Sequence, residues 1–141
     1  MTPDQVSSVK ESFALVRPIS DQAGMMFYDR LFEIDPNLRK LFKEDVSDQS
    51  KKLMQMIATA VNALDKLETI VPAVQALGAR HVDYGVVDQH YDTVAEALLW
   101  TLEKGLGEAF TPEVKASWTA AYIVLSDTMK AAAKTAKSQK N

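Results

Sequence analysis

Cysteine is absent from this chain, which excludes a disulfide framework, thiolate metal ligands and a cysteine nucleophile. Glycine and proline number only five each, too few for a loop-rich fold. No apolar run approaches the roughly 18 residues that a membrane-spanning helix needs. The first residues also lack the basic region and apolar run of a secretory signal. We therefore expect a cytoplasmic protein that does not enter a membrane.

The charge of the chain is nearly balanced. Sixteen Lys and Arg residues against 19 Asp and Glu residues give a formal net charge of -3. Binding to nucleic acid needs clustered positive charge, so this balance predicts no nucleic-acid partner. The hydrophobic share of 47% excludes a disordered chain, and the length of 141 residues predicts one domain over residues 1–141.

The spacing of apolar residues predicts helices throughout, without an alternating strand pattern. The first helix begins at the capping box Thr2-Pro3-Asp4-Gln5 and ends at Pro18. Later helices are predicted from Ser20, after a loop at Val46–Asp48, over Ile70–Tyr84, from a cap at Asp88 and from Thr111-Pro112. The polar tail from about residue 131 is predicted to fray. Unequal helices with proline-marked corners indicate an all-α fold whose helices pack at larger angles than those of a regular four-helix bundle.

The chain has only two histidines, His81 and His90. A lone histidine in a helical protein is more often a packed or surface residue than a metal ligand. His81, however, follows Val74 and Leu77 on one apolar helical face. We expect one ring nitrogen to donate to the Leu77 carbonyl, and a metal-bound cofactor would provide the partner of the other nitrogen.

A second group of candidate residues lies upstream. Phe27-Tyr28 falls in the middle of a predicted helix, and Phe42 ends the short helical turn after Asp35-Pro36. Gln49 and Leu53 are four residues apart and therefore share a helical face. Taken singly, the apolar members are best explained as core, and Tyr28 and Gln49 as polar groups at its rim.

The order and spacing of these residues resemble a known family. The residues concerned are Phe27-Tyr28-x-x-Leu31-Phe32, Asp35-Pro36, Leu41-Phe42, Gln49-x-x-x-Leu53, His81-x-x-Tyr84-Gly85-Val86, His90-Tyr91 and Trp118-x-x-x-Tyr122. From about Val6 to Met129 the chain resembles bacterial single-domain globins, the group that includes flavohaemoglobin haem domains and neuroglobin-like bacterial globins. The resemblance implies the globin fold, a three-over-three helical sandwich around haem b.

The resemblance implies a role for each residue around the haem. His81 falls at the proximal iron ligand, and Phe42 falls at the aromatic residue that packs on the haem face. Val86 falls at an apolar haem contact, and Tyr91 falls at the proximal tyrosine of flavohaemoglobins. The proximal glutamate of that group falls near Ala133, so the arrangement that tunes the axial histidine there is incomplete in this chain.

The resemblance also implies a distal pocket. Tyr28, Gln49 and Leu53 fall at the positions around a bound gas, where a phenol and an amide can donate hydrogen bonds to the partial negative charge of oxygen. Lys52 and Arg80 are candidates for binding the haem propionates, and flexible surface positions are an equally good interpretation of both.

Three functions remain open at this point. The leading one is a haem protein, with a five-coordinate or weakly six-coordinate iron, that reversibly binds oxygen, nitric oxide and carbon monoxide. The second is a nitric oxide dioxygenase that takes electrons from a separate reductase, because the reductase domain of flavohaemoglobin is absent from the chain. The third is a cofactor-free helical interaction module. We expect a monomer or a weak homodimer.

Overall fold

The regular structure of the described residues is helical. The computed structural model describes residues 1–42, 45–83 and 85–140. For residues 139 and 140 only the backbone is described. Within these ranges the α-helices are α1 (Pro3–Val16), α2 (Ser20–Ile34), α3 (Val46–Asn62), α4 (Val71–Asp83), α5 (Asp88–Leu106) and α6 (Pro112–Lys140). Short 3-10 turns occupy Arg17–Ile19, Pro36–Leu41, Leu67–Thr69 and Gly107–Ala109. The predicted all-α class is confirmed.

The start of α1 matches the capping box of the sequence. The Thr2 hydroxyl accepts from the Gln5 backbone N–H at 3.1 Å, and the Gln5 side chain accepts from the Thr2 backbone N–H at 3.0 Å. Proline occupies the first helical position, where its missing N–H costs no hydrogen bond. α1 ends at Val16, and α2 begins at Ser20 as predicted.

Two helix starts differ from the prediction. α3 begins at Val46, because the Asp45 carboxylate accepts from the Ser47 backbone N–H at 2.8 Å, so the loop predicted at Val46–Asp48 is wrong. Asp88 is the first residue of α5 rather than its cap. The Val87 backbone N–H there donates to Nδ1 of His90 at 3.1 Å, which gives His90 a structural role at the start of the helix.

The end of α6 also differs from the prediction. The tail that the sequence predicts to fray continues as helix to Lys140. Alanine and lysine are strong helix formers, and lysines near a helix C-terminus are favoured by the helix dipole. Ala133 is only 5% exposed, so this part of α6 still packs against the rest of the chain.

The helices pack around two apolar clusters. α6 packs against α1 and α4, whereas α2 packs against α3 and α5. One cluster joins α1, α2, α3, α5 and α6 and includes Val9, Phe13, Val16, Ala23, Val61, Leu64, Leu102, Trp118 and Ala121. The other surrounds α2 and includes Phe27, Tyr28, Leu31, Leu38 and Ala97. Among the described residues, α3 and α4 are not a closely packed pair. No helix in the described ranges has the length and apolar character needed to cross a membrane.

Candidate functional site

A close helix crossing sets the position of α3 over α2. A Cβ atom on Gly24 would lie 2.8 Å from the Cβ of Ser50 and 3.1 Å from its carbonyl oxygen. Only glycine allows this approach, because any side chain would force the two helices apart. Gln49 precedes Ser50, and Leu53 follows one turn later, so the crossing positions both. Gly24 was not among the site residues predicted from the sequence, although a glycine inside a predicted helix is a signal of such a contact.

Aromatic rings surround Tyr28, which is only 5% exposed. Its ring contacts those of Phe27, Phe32 and Phe42, with centroid distances of 5.0, 6.0 and 5.2 Å. Burial raises the pKa of Tyr28 to about 12, because the apolar surroundings disfavour the phenolate. Tyr28 is therefore a neutral phenol that can donate a hydrogen bond.

Of the two predicted distal residues of α3, Leu53 joins the cluster around Tyr28. Leu53 is half-buried and packs against the cluster that contains Tyr28, and Phe42 packs there too. Gln49 is half-buried one helical turn before Leu53, whereas Lys52 is exposed. The structure thus brings Tyr28, Phe42 and Leu53 together.

The predicted proximal residues form a second group. Nδ1 of His81 lies 3.0 Å from the hydroxyl oxygen of Tyr91, which is 4% exposed. The sequence predicted the Leu77 carbonyl as a partner of this ring, whereas the hydrogen bond at Nδ1 is with Tyr91. A tyrosine at the start of α5 approaches the ring from a separate helix, which helical spacing within α4 could not indicate.

The end of α4 positions His81 through its backbone. Gly85 has a φ of 86°, which favours glycine, and its N–H donates to the Val82 carbonyl at 3.1 Å. The N–H of Val86 donates to the His81 carbonyl at 2.9 Å. These two bonds form the Schellman arrangement that ends a helix. Val86 is half-buried at this corner, and Tyr84 of the sequence motif lies outside the described residues.

α6 holds this group in place from the other side. A Cβ on Gly78, one turn before His81, would lie 2.7 Å from the Cα of Met129, so α4 and α6 approach to backbone contact. The Tyr122 hydroxyl donates to the Tyr91 backbone carbonyl at 2.6 Å. The predicted pair Trp118-x-x-x-Tyr122 gave no indication of this bond.

The electrostatics of the group favour a neutral imidazole. Burial lowers the pKa of His81, and the neighbouring positive charge of Arg80 lowers it further. Burial and the Asp88 carboxylate raise the pKa of Tyr91, so this side chain remains a phenol. Arg80 itself is exposed.

The donor set fits haem. Metal coordination requires a neutral histidine, and the other ring nitrogen of such a histidine is usually held by a hydrogen bond like that of Tyr91. A single neutral histidine is one of the axial ligands by which proteins hold haem iron. The apolar side chains of the second cluster that remain half-buried suit a large flat ligand, and they include Leu41, Phe42, Leu53, Val94 and Leu98.

Comparisons with known proteins agree with this geometry. The family model described as Globin matches residues 25–129. An anaerobic nitrite reductase of Brassica napus is 31% identical over 99% of this chain and 96% of its own length. A flavohemoprotein of Bacillus subtilis is 30% identical over 86% of this chain.

The flavohemoprotein of Vibrio cholerae is 29% identical over 89% of this chain, and the match spans 32% of the length of that flavohemoprotein. A solved structure, an engineered carbene transferase made from a putative nitric oxide dioxygenase of Rhodothermus marinus, has a TM-score of 0.90. It covers 98% of this chain and 96% of its own, at 22% identity, which shows a shared fold.

Proposed function

The chain belongs to the globin family of haem proteins that bind diatomic gases, and we propose that it holds haem b through His81 and binds oxygen reversibly beside Tyr28. The observation that carries this proposal is the bond between Nδ1 of His81 and Tyr91, 3.0 Å long, at the end of α4. It sets the ring so that Nε2 would be the nitrogen directed to iron. A cofactor-free interaction module loses its support, because the family uses haem.

The proximal side orients the axial histidine. The lowered pKa of His81 keeps the imidazole neutral, which is the form that coordinates a metal. Tyr91 fixes the plane of the ring, and the bond from Val86 to the His81 carbonyl fixes its backbone. Val86 and Phe42 would contact the haem through their apolar side chains.

The distal side distinguishes among ligands. Haem supplies the iron that binds a diatomic gas. Tyr28 would donate a hydrogen bond to the partial negative charge of oxygen, which is worth about 1.5–3 kcal/mol for a charged acceptor. Gln49 would be a second donor, and Leu53 would restrict the space and exclude water. Nitric oxide and carbon monoxide would enter the same pocket.

Two basic residues are proposed to pair with the haem propionates. Lys52 on α3 directly precedes Leu53, and Arg80 on α4 directly precedes His81. Each basic residue is therefore next in sequence to a central residue of the candidate site. Both positions are exposed, as a residue that binds a carboxylate at the edge of a haem would be.

The absorption spectrum of the purified, haem-loaded protein tests the proposal. His81→Ala should lose haem or hold it loosely, whereas the control His90→Ala should keep the spectrum, because His90 caps α5. A normal haem spectrum in His81→Ala together with its loss in His90→Ala would refute the assignment.

Nitric oxide dioxygenase activity is the second candidate. Its support is the hydrogen bond between Tyr91 and the candidate axial ligand, together with the likeness to flavohemoproteins. This activity would require a separate reductase as partner. Sustained consumption of nitric oxide and oxygen with a reductant would distinguish it from binding, which stops at one equivalent. The cytoplasmic location, the single domain and the monomeric or weakly dimeric state stay predictions of the sequence.

A further inference from the structure

A lysine of α6 lies over the tyrosine that contacts the candidate axial ligand. Nζ of Lys130 is 5.7 Å from the centroid of the Tyr91 ring. This distance is within the roughly 6 Å over which an ammonium is attracted to an aromatic face. Tyr91 is buried and Lys130 is half-buried, so water screens this pair less than it screens a surface contact.

We propose that Lys130 is a positioning and tuning residue, which acts through Tyr91 to make His81 a weaker electron donor to the haem iron. The inference rests on the proposed function, since it takes His81 as the axial ligand. It concerns the strength of that ligand rather than its identity.

The proton between His81 and Tyr91 links the tyrosine to the strength of the axial ligand. When Nε2 of a neutral imidazole coordinates a metal, the proton is on Nδ1, and Nδ1 must donate to the Tyr91 oxygen. The more strongly that oxygen accepts the proton, the more negative charge the imidazole carries and the more density it donates to the iron. The acceptor strength of Tyr91 therefore sets the strength of the axial ligand.

Lys130 weakens this acceptor. A positive charge over the ring draws electron density from the phenol. The Tyr91 oxygen therefore becomes a poorer acceptor of the hydrogen bond from His81. The Asp88 carboxylate acts on Tyr91 in the opposite direction. Asp88 lies in the first turn of α5, however, where the helix N-terminus also attracts its charge.

α6 is built to hold this contact. The Tyr122 hydroxyl anchors the backbone of Tyr91, and Met129, next to Lys130, contacts α4 at Gly78. One turn after Lys130 the helix presents Ala133, which is buried and carries no carboxylate. In the described structure the charge that α6 places against the Tyr91 ring is thus positive.

The test compares haem-loaded wild type with charge variants. Lys130→Met should lower the ferric/ferrous midpoint potential and raise the iron–histidine stretching frequency in resonance Raman spectra. Lys130→Arg keeps a cation over the ring and should restore both values. The control Lys134→Met removes the same charge from an exposed position one turn along α6 and should change neither.

A double-mutant cycle separates an effect through Tyr91 from a direct effect of charge on the iron. In a Tyr91→Phe background, Lys130→Met should no longer shift the stretching frequency. The inference is wrong if Lys130→Met behaves like wild type, if Lys134→Met or Lys130→Arg shifts as much, or if the shift persists without the Tyr91 hydroxyl. Absence of an iron–histidine band in the wild type would instead refute His81 as the ligand.

Discussion

The rings of Tyr28 and Phe42 meet edge to face, with their centroids 5.2 Å apart and their planes at 76°. The candidate donor to the bound gas and the candidate haem-packing residue therefore support each other directly. Such a ring pair stabilises by about 0.5–1.5 kcal/mol beyond the area it buries. A substitution at one of these residues should therefore also affect the packing of the other.

Replacing Tyr28 by Phe should speed the release of oxygen. The ring and its contacts remain, but a hydrogen bond of about 1.5–3 kcal/mol to bound oxygen is lost, which corresponds to about a ten- to hundredfold faster rate. Carbon monoxide carries less charge, so its release should change less. Stopped-flow release of both gases measures the difference. Equal acceleration of the two gases would show a steric effect and contradict the role of Tyr28 as donor.

Replacing Phe42 by Val should speed haem loss. Shortening the half-buried side chain of Phe42 also lowers the free energy of unfolding, by less than the about 3–5 kcal/mol that truncation of a fully buried phenylalanine costs. The control is therefore Phe13→Val, in the other apolar cluster, which should destabilise the fold with less effect on the haem. Transfer of haem to an acceptor globin, below the unfolding transition of both variants, is the measurement. Wild-type transfer from Phe42→Val would place Phe42 away from the haem.

Replacing Gly24 by Ala should destabilise the protein and disturb the distal pocket. The new Cβ would lie 2.8 Å from the Cβ of Ser50, so α2 and α3 must separate, at a cost of about 1–3 kcal/mol that exceeds the gain of about 1 kcal/mol in helix propensity. Urea unfolding and oxygen release check both effects.

The control for this change is Gly105→Ala in α5. A Cβ there would meet only the Cδ1 of Ile19, at 3.4 Å, so this variant should be neutral or more stable. Ser50→Gly should partly restore Gly24→Ala, since it removes the opposing atom. Equal stabilities of the two glycine variants would argue against a tight crossing.

Alkaline pH should weaken the fold partly through Tyr28. Its pKa is raised from 10.0 to about 12, so the phenol ionises first in the unfolded state. The stability from its burial is fully present below pH 10 and is lost as the pH rises towards about 12. The free energy of unfolding should therefore fall more in wild type than in Tyr28→Phe over that range. Tyr122→Phe should also reduce the loss, since burial raises the pKa of Tyr122 as well. Parallel pH profiles for wild type and Tyr28→Phe would contradict the prediction.

The sequence alone determined what depends on neighbours along the chain. The capping box at Thr2 and Gln5, the start of α2 at Ser20 and the break at Gly85 follow from local hydrogen bonds and backbone preferences. The family resemblance also follows from spacing, because the fold constrains each of those positions. The start of α3 was misplaced because Asp45 and Asp48 are both able to cap a helix, and the local sequence does not decide between them.

Only the tertiary structure decided which residues meet across helices. The bond between His81 and Tyr91, the approach of Gly24 to Ser50 and the position of Lys130 over the Tyr91 ring join residues of different helices. The end of α6 is a similar case, since its lysines and alanines suit either a solvated tail or a helix until packing buries Ala133. Helical periodicity says which face a residue occupies, but the crossing of two helices is set by the packing of the whole core.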